Sequence, residues 1–239
     1  IRKRENTILK DRVITIAKGA VIGGTMLIPG VSGGTMAMMM DIYDRLIGAV
    51  SGFLRHKRES LLFLFWFCLG AGVGMLLIAK PLFAVIDLFP LPAGYFFMGA
   101  VAGSVPMIYH KARADAFTWQ DLIYVAAGMA IVFLIAYIPL PKDTDAAGLA
   151  GNPLYLVAAG LVAAVALVLP GISVSYLLLM FGLYDKTVEA MNGLYFPFLI
   201  PLAVGLALGI ISTAKLLDRL MTRHPRGTYL TILGFMLAS

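Results

Sequence analysis

Apolar positions in this chain come in long blocks rather than in alternation. Uncharged stretches cover Leu61–Ala79, Leu88–Tyr109, Leu122–Pro141, Ala146–Tyr184 and Ala190–Ala214. A helix needs about 20 residues to cross a hydrocarbon core about 30 Å thick, and several blocks reach that length. The pattern predicts an all-α integral membrane protein. Two apolar stretches, Val13–Met40 and Pro153–Tyr184, are each interrupted by a Pro-Gly-x-Ser tetrapeptide.

The two interruptions match. Pro29-Gly-Val-Ser-Gly-Gly-Thr35 is followed by Ile42-Tyr-Asp-Arg45, and Pro170-Gly-Ile-Ser-Val-Ser-Tyr176 by Leu183-Tyr-Asp-Lys186. One offset of 141 positions carries Gly19 to Gly160, Pro29 to Pro170 and Tyr43 to Tyr184. Past extra residues around Arg55–Ser60, an offset of 135 carries Gly70 to Gly205, Gly74 to Gly209, Lys80 to Lys215, Pro90 to Pro225 and Gly99 to Gly234. The chain therefore reads as one membrane domain over 1–239. A first copy covers 13–108, a second covers 153–239, and a transmembrane helix at about 120–139 links them. Gly70-xxx-Gly74, Gly99-xxx-Gly103 and Gly205-xxx-Gly209 predict faces for close helix contact.

Composition agrees: 60% of residues are hydrophobic, 13% are charged, and the mean hydropathy is +0.90. The net charge is +6, but the cations stand beside the ends of apolar blocks. That placement sets membrane orientation and leaves no soluble basic surface for nucleic acid. Clusters occur at Arg2–Arg4 with Lys10, Arg12 and Lys18, at Arg55–Arg58, at Lys111 and Arg113, and at Lys215–Arg226. The loops Lys80–Asp87, Lys142–Asn152 and Asp185–Asn192 hold one Lys each.

With all clusters cytoplasmic, Leu61–Ala79 crosses outward, Leu91–Ile108 inward, Leu122–Pro139 outward and Phe196–Ala214 inward, and Tyr229–Ser239 begins another crossing. The first broken stretch then starts and ends inside, and the second starts and ends outside. Each is a re-entrant helical hairpin. Arms of about ten residues reach roughly 15 Å, half of the core. Three crossings lie between the hairpins, so the copies form an inverted-topology repeat with a cytoplasmic N-terminus. A single kinked crossing at each break is the alternative, and it would put the N-terminal cluster outside. The basic opening Ile1–Asp11 is unlike a cleaved signal peptide. A start without Met and a stop at Ser239 within an apolar run lead us to expect a longer natural protein. Cys68 stands alone, so no disulfide framework is expected.

The breaks carry the candidate chemistry. Pro29 and Pro170 end the preceding helices, and Gly30 and Gly171 permit a turn. Ser32 and Ser173 sit where an N-cap belongs, ahead of a helix start that attracts anions. Gly33 and Gly34 allow close backbone approach, and Thr35 and Ser175 add hydroxyls. Serines that merely cap their own helices are the competing reading. Turns inside hydrocarbon also need partners for their backbone groups, so the two tips are expected to be buried together near the midplane.

Further on, Asp41 and Arg45 are spaced to pair on one helical face, flanked by Tyr43 and Asp44. Gly182, Tyr184, Asp185 and Lys186 match them in the second copy. Arg45 and Lys186 read either as cations receiving an anionic head group or as snorkelling anchors. Tyr43 and Tyr184 read equally as belt aromatics. His56, His110 and His224 show no metal-ligand spacing, and no nucleophile with a positioned base stands near the breaks. A transporter rather than an enzyme is expected, with no metal and no cofactor.

The segments Gly30-Val-Ser-Gly-Gly-Thr35 with Tyr43-Asp-Arg45, and Pro170-Gly-Ile-Ser173 with Gly182-Leu-Tyr184, resemble the signature of the bacterial polyprenyl-phosphate transporter family. The likeness spans nearly the whole chain. It implies translocation of undecaprenyl phosphate in the bacterial cytoplasmic membrane, returning the cell-wall lipid carrier from the outer to the inner leaflet. It also implies a phosphate site at the two tips. The chain departs from its own symmetry where Gly33 and Gly34 become Val174 and Ser175. An ion-coupled transporter or channel for a small anion is the alternative on the same architecture.

Overall fold

The computed structural model describes residues 2–26, 32–53, 55–113, 116, 118–137, 152–172 and 174–238. Among these the chain is helical: α1 Arg2–Thr25, α2 Gly33–Met39, α3 Tyr43–Ser51, α4 Lys57–Leu77, α5 Ala79–Leu88, α6 Pro90–Lys111, α7 Trp119–Tyr137, α8 Pro153–Val168, α9 Val174–Met180, α10 Tyr184–Asn192, α11 Phe196–Arg223 and α12 Pro225–Ala238. Three of them, α4, α6 and α11, are long and apolar enough to cross a membrane. Their outward faces carry large apolar side chains such as Leu76, Phe96 and Ile200, as lipid contact requires.

Proline and polar caps mark the starts. Pro90 and Pro225 open α6 and α12, where a missing N–H costs nothing. Asn152 caps α8 by accepting the Leu154 N–H at 2.9 Å. Two expected loops are helices instead. Lys80–Asp87 lies in α5, and Asp185–Asn192 lies in α10. Lys80 and Asp87 leave an uninterrupted apolar run between them, and Pro81 falls in the first turn, where proline is tolerated. The run Leu88–Tyr109 is in turn broken at Phe89, between α5 and α6.

Helix bounds repeat at the offsets seen in the sequence. Gly33–Met39 and Tyr43–Ser51 correspond to Val174–Met180 and Tyr184–Asn192. Asp41 (φ 51°) matches Gly182 (φ 61°), and Phe89 (φ −133°, ψ 61°) matches His224 (φ −131°, ψ 58°). Packing repeats as well. α1 lies along α4, and α8 lies along α11, with backbones in close approach. A Cβ on Gly70 would sit 2.2 Å from the Ile16 carbonyl oxygen, and one on Gly205 would sit 2.1 Å from that of Val157. Gly74 and Gly209 are closed in the same way by α1 and α8. These two stripes are packing faces, as the spacing predicts.

Gly99 and Gly103 are different, because a Cβ on either would meet nothing within 4 Å. The contact expected there is absent among the described residues. The equivalent Gly234 does pack, against α7 at Val125 and Gly128. Linking helix α7 has a crossing partner in α12, and no described helix takes the corresponding place on α6.

The largest core cluster gathers Ile22, Met38, Tyr43, Ile47, Ile108, Leu217, Leu230 and Phe235. It joins α1–α3 to α6, α11 and α12, so elements of the two sequence copies share one interior. Ser51 Oγ reinforces this by donating to Asp218 of α11 at 2.9 Å.

Candidate functional site

The chain doubles back around each break. Past the first break, Arg45 returns to α1 and forms a two-pronged ion pair with Asp11, at 2.6 and 2.7 Å. Past the second, the Phe181 carbonyl accepts the Tyr155 hydroxyl at 2.9 Å. The start of α2 touches the second break. Thr35 Oγ1 accepts the backbone N–H of Gly171 at 3.0 Å, in a buried setting. A Cβ on the neighbouring Gly34 would lie 3.0 Å from Pro170, so glycine there keeps the two backbones together. Gly171 has φ +83°, and a Cβ on it would sit 2.3 Å from the Phe235 carbonyl oxygen. Only glycine fits that turn.

Tyr43 adds a third bridge. Its hydroxyl donates to the Val168 carbonyl at 2.8 Å, and the ring is buried. Val168 ends α8, where carbonyls lose their helical partners. The reading of Tyr43 as a belt aromatic is therefore replaced by a tie between the first copy and the second. Tyr184, its counterpart, is exposed.

Ser32 occupies the N-cap of α2 in extended backbone, yet its side chain makes no capping bond. Ser32 and Thr35 instead line a cavity of about 390 Å³ whose walls are Phe97, Met98, Val101 and Met236. Gly33 faces the flexible side chain of Met26. With seven residues, α2 is too short for the macrodipole of a long helix. Hydroxyls and first-turn amides carry its polarity. Pro29, Gly30 and Ser173 lie outside the described residues, and Ser175 falls in the first turn of α9.

The charged residues after the first break form a cluster, but not the expected pair. Asp41 sits in a left-handed turn between α2 and α3, so it and Arg45 share no helical face. Lys111, at the end of α6, bridges Asp41 at 2.6 Å and also Asp44. Asp44 Oδ1 is buried with no hydrogen-bond partner among the described residues. Arg45 additionally stacks on Phe63, 4.4 Å from the ring centre. The Arg45 hydrogen bonds hold the Asp11 carboxyl below its ordinary range, against partial burial. Lys186, half-exposed on α10, keeps the equivalent position.

Sequence reasoning missed Asp11 and Lys111 as partners, because pairing across 34 and 67 positions leaves no local trace. It also missed Asp121. That carboxylate is buried at the start of α7 and holds Arg226 of α12 at 2.6 Å. Among the described residues no group of His, Cys, Asp and Glu could hold a metal ion.

Known proteins resemble this chain along most of its length. A polyprenyl-phosphate transporter of Staphylococcus aureus (strain NCTC 8325 / PS 47) is 31% identical over 95% of this chain and 84% of its own length. One of Vibrio cholerae serotype O1 (strain ATCC 39315 / El Tor Inaba N16961) is 27% identical over 94% of this chain and 75% of its own. No solved structure matches. The profile of the VCA0040-like, undecaprenyl phosphate translocase-like family matches residues 22–239, and the chain belongs to that family.

Proposed function

We propose that this protein carries undecaprenyl phosphate, or a close polyprenyl phosphate, across the bacterial cytoplasmic membrane and so returns the lipid carrier for cell-wall synthesis. Hairpins α1–α2 and α8–α9 re-enter the bilayer from opposite faces as an inverted repeat, with the N-terminus cytoplasmic. The head group is bound where the breaks meet. The prenyl tail stays in lipid. The protein acts as a transporter, not an enzyme, and needs no cofactor.

The observation that carries this reading is the bond from Gly171 to Thr35, because it joins the two interrupted motifs at one buried point. A hydroxyl that accepts one bond keeps its own proton to donate. Thr35 and the uncapped Ser32 therefore face the adjoining cavity as donors for a phosphate. Backbone amides of Gly33 and Gly34, and of the stretch from Ser173 to Ser175, add to them. A lipid phosphate carries about −1.5 to −2 charges if it titrates like other monoesters. Left bare in hydrocarbon, such a charge costs tens of kcal/mol by a Born estimate. Arg45 and Lys186 serve the two mouths of the path, with Asp41 and Tyr184 beside them, while Tyr43 holds the first copy to the end of α8 near the bound head group. The Phe and Met walls favour a lipid over a small hydrated anion.

The test is equilibrium binding of a short-chain polyprenyl phosphate to detergent-purified protein. The matching alcohol and inorganic phosphate serve as competitors. Ser32→Ala with Thr35→Ser should keep the fold and lower affinity about tenfold, the loss of one charge-assisted bond. Equal binding of the alcohol would show that phosphate is not read. Equal competition by inorganic phosphate would favour the small-anion alternative.

A further inference from the structure

A second cavity, about 810 Å³, opens between α7, α8, α11 and α12. Its rim is basic, with Arg113, Arg223 and His224 all exposed. None of the three forms an ion pair among the described residues. Arg226, also on the rim, is anchored by Asp121, which fixes the start of α12 against α7. Deeper in, the lining turns apolar through Leu217, Ile232 and Phe235 to Leu169. Leu169 precedes Pro170, and Phe235 is the residue whose carbonyl closes on Gly171. From Arg226 to Phe235 is nine residues of helix, about 13–14 Å, close to half a bilayer core. The cavity thus leads from a cationic rim to the second break.

Cations on a cytoplasmic face are common, so their presence alone decides little. Their position in the repeat decides more. Arg223-His224-Pro225-Arg226 corresponds to Leu88-Phe89-Pro90-Leu91, with the same backbone angles at Phe89 and His224. One turn of one geometry is basic in the second copy and apolar in the first. The charge is therefore not imposed by the turn, and it stands where a cavity opens.

We infer that this cavity is a separate binding site for an amphiphilic phosphate monoester at the cytoplasmic leaflet. Arg113, Arg223 and His224 hold the phosphate, and Leu217, Ile232 and Phe235 take the first part of the apolar chain. The inference rests on the proposed cytoplasmic placement of these cations, and it adds a station before or after the tips. Arg is suited to the task because its planar fork matches phosphate oxygens. The volume falls in the range of small-molecule sites, about 300–1,000 Å³, so the cavity takes a head group and a few isoprene units rather than a whole chain.

The experiment uses Leu216→Cys, at an exposed position on the cavity wall, in a Cys68→Ala background, and follows modification of the new thiol by a thiol reagent. A short-chain polyprenyl phosphate should protect that thiol, and inorganic phosphate at equal concentration should not. Adding Arg113→Gln and Arg223→Gln should raise the protecting concentration at least about tenfold. The Arg→Lys pair should recover part of that loss, and thermal unfolding should match the parent. A Ser32→Cys protein reports the tips independently. Protection at Ser32→Cys without protection at Leu216→Cys overturns this inference and leaves the tip reading standing. Undiminished protection in the double Gln variant overturns it too. Equal protection by inorganic phosphate overturns the lipid assignment of the cavity.

Discussion

Thr35 and Gly171 lie 136 positions apart, yet the hydroxyl of one accepts the amide of the other at 3.0 Å in a buried place. The Gly171 amide sits on a left-handed turn that no helix can satisfy, and Thr35 supplies its acceptor. Thr35→Val keeps shape and removes that acceptor. A buried donor left without a partner costs about 1–3 kcal/mol. Thr35→Val should therefore unfold at a lower temperature in detergent, while Thr35→Ser should stay near the parent. An unchanged Thr35→Val melting curve would mean that the bond contributes nothing.

The way α1 and α3 meet sets the second prediction. Asp11 and Arg45 are in contact, so the chain before and after the first break ends at one level. Single cysteines at Lys10 and Arg58, in a Cys68→Ala background, should react with an impermeant reagent from the same membrane face. Labelling from opposite faces would discard the hairpin and restore a single kinked crossing.

Much of this was legible in the sequence, and the reasons are physical. Proline and glycine act on the backbone of their own residues, so the second break, at Pro170 and Gly171, fell where the motif put it. The spacing predicted the glycine packing faces of α4 and α11, and the helix bounds and the Phe89 and His224 angles repeat at the same offsets. The stripe at Gly99 misled because spacing marks a face suited to packing without naming what covers it. Charge misled at α5 and α10, since two or three charged side chains on a short segment are compatible with helix. The partners of Arg45 and Asp41 stayed hidden because they are chosen by tertiary approach. The contrast of Arg223-His-Pro-Arg226 with Leu88-Phe-Pro-Leu91 was visible in the aligned copies. It gains meaning only once a cavity is found beside it.

Acid should weaken the Asp11–Arg45 tie. The folded carboxyl titrates below the unfolded value of about 3.9, so its stabilisation is complete above that pH and is lost as pH falls below it. Both side chains are about half exposed, which limits the effect to about 1 kcal/mol or less. Between pH 6 and roughly pH 3 the parent should lose slightly more thermal stability than Asp11→Asn. Parallel losses would show that the pair is silent.

The same ion pair sharpens what Arg45 can do with a substrate. As it stands, the guanidinium is engaged by Asp11 through both prongs and rests on Phe63. To grip a lipid phosphate it must leave the carboxylate or share it. Asp11→Asn removes the competitor and keeps the shape, so polyprenyl-phosphate affinity should rise severalfold. Arg45→Ala should lower affinity by about ten- to a hundredfold, the worth of about 1.5–3 kcal/mol for a hydrogen bond to a charged group. Arg45→Lys should recover only part, because an ammonium cannot reproduce the two-pronged fork. Lys186→Ala should cost less than Arg45→Ala for the same reason. All four are read by titrating the short-chain lipid phosphate into purified protein, with unfolding temperatures checked alongside. If Arg45→Ala and Asp11→Asn both fold normally and bind as the parent does, Arg45 serves only to fasten α3 to α1. The head group is then held by the tips without it.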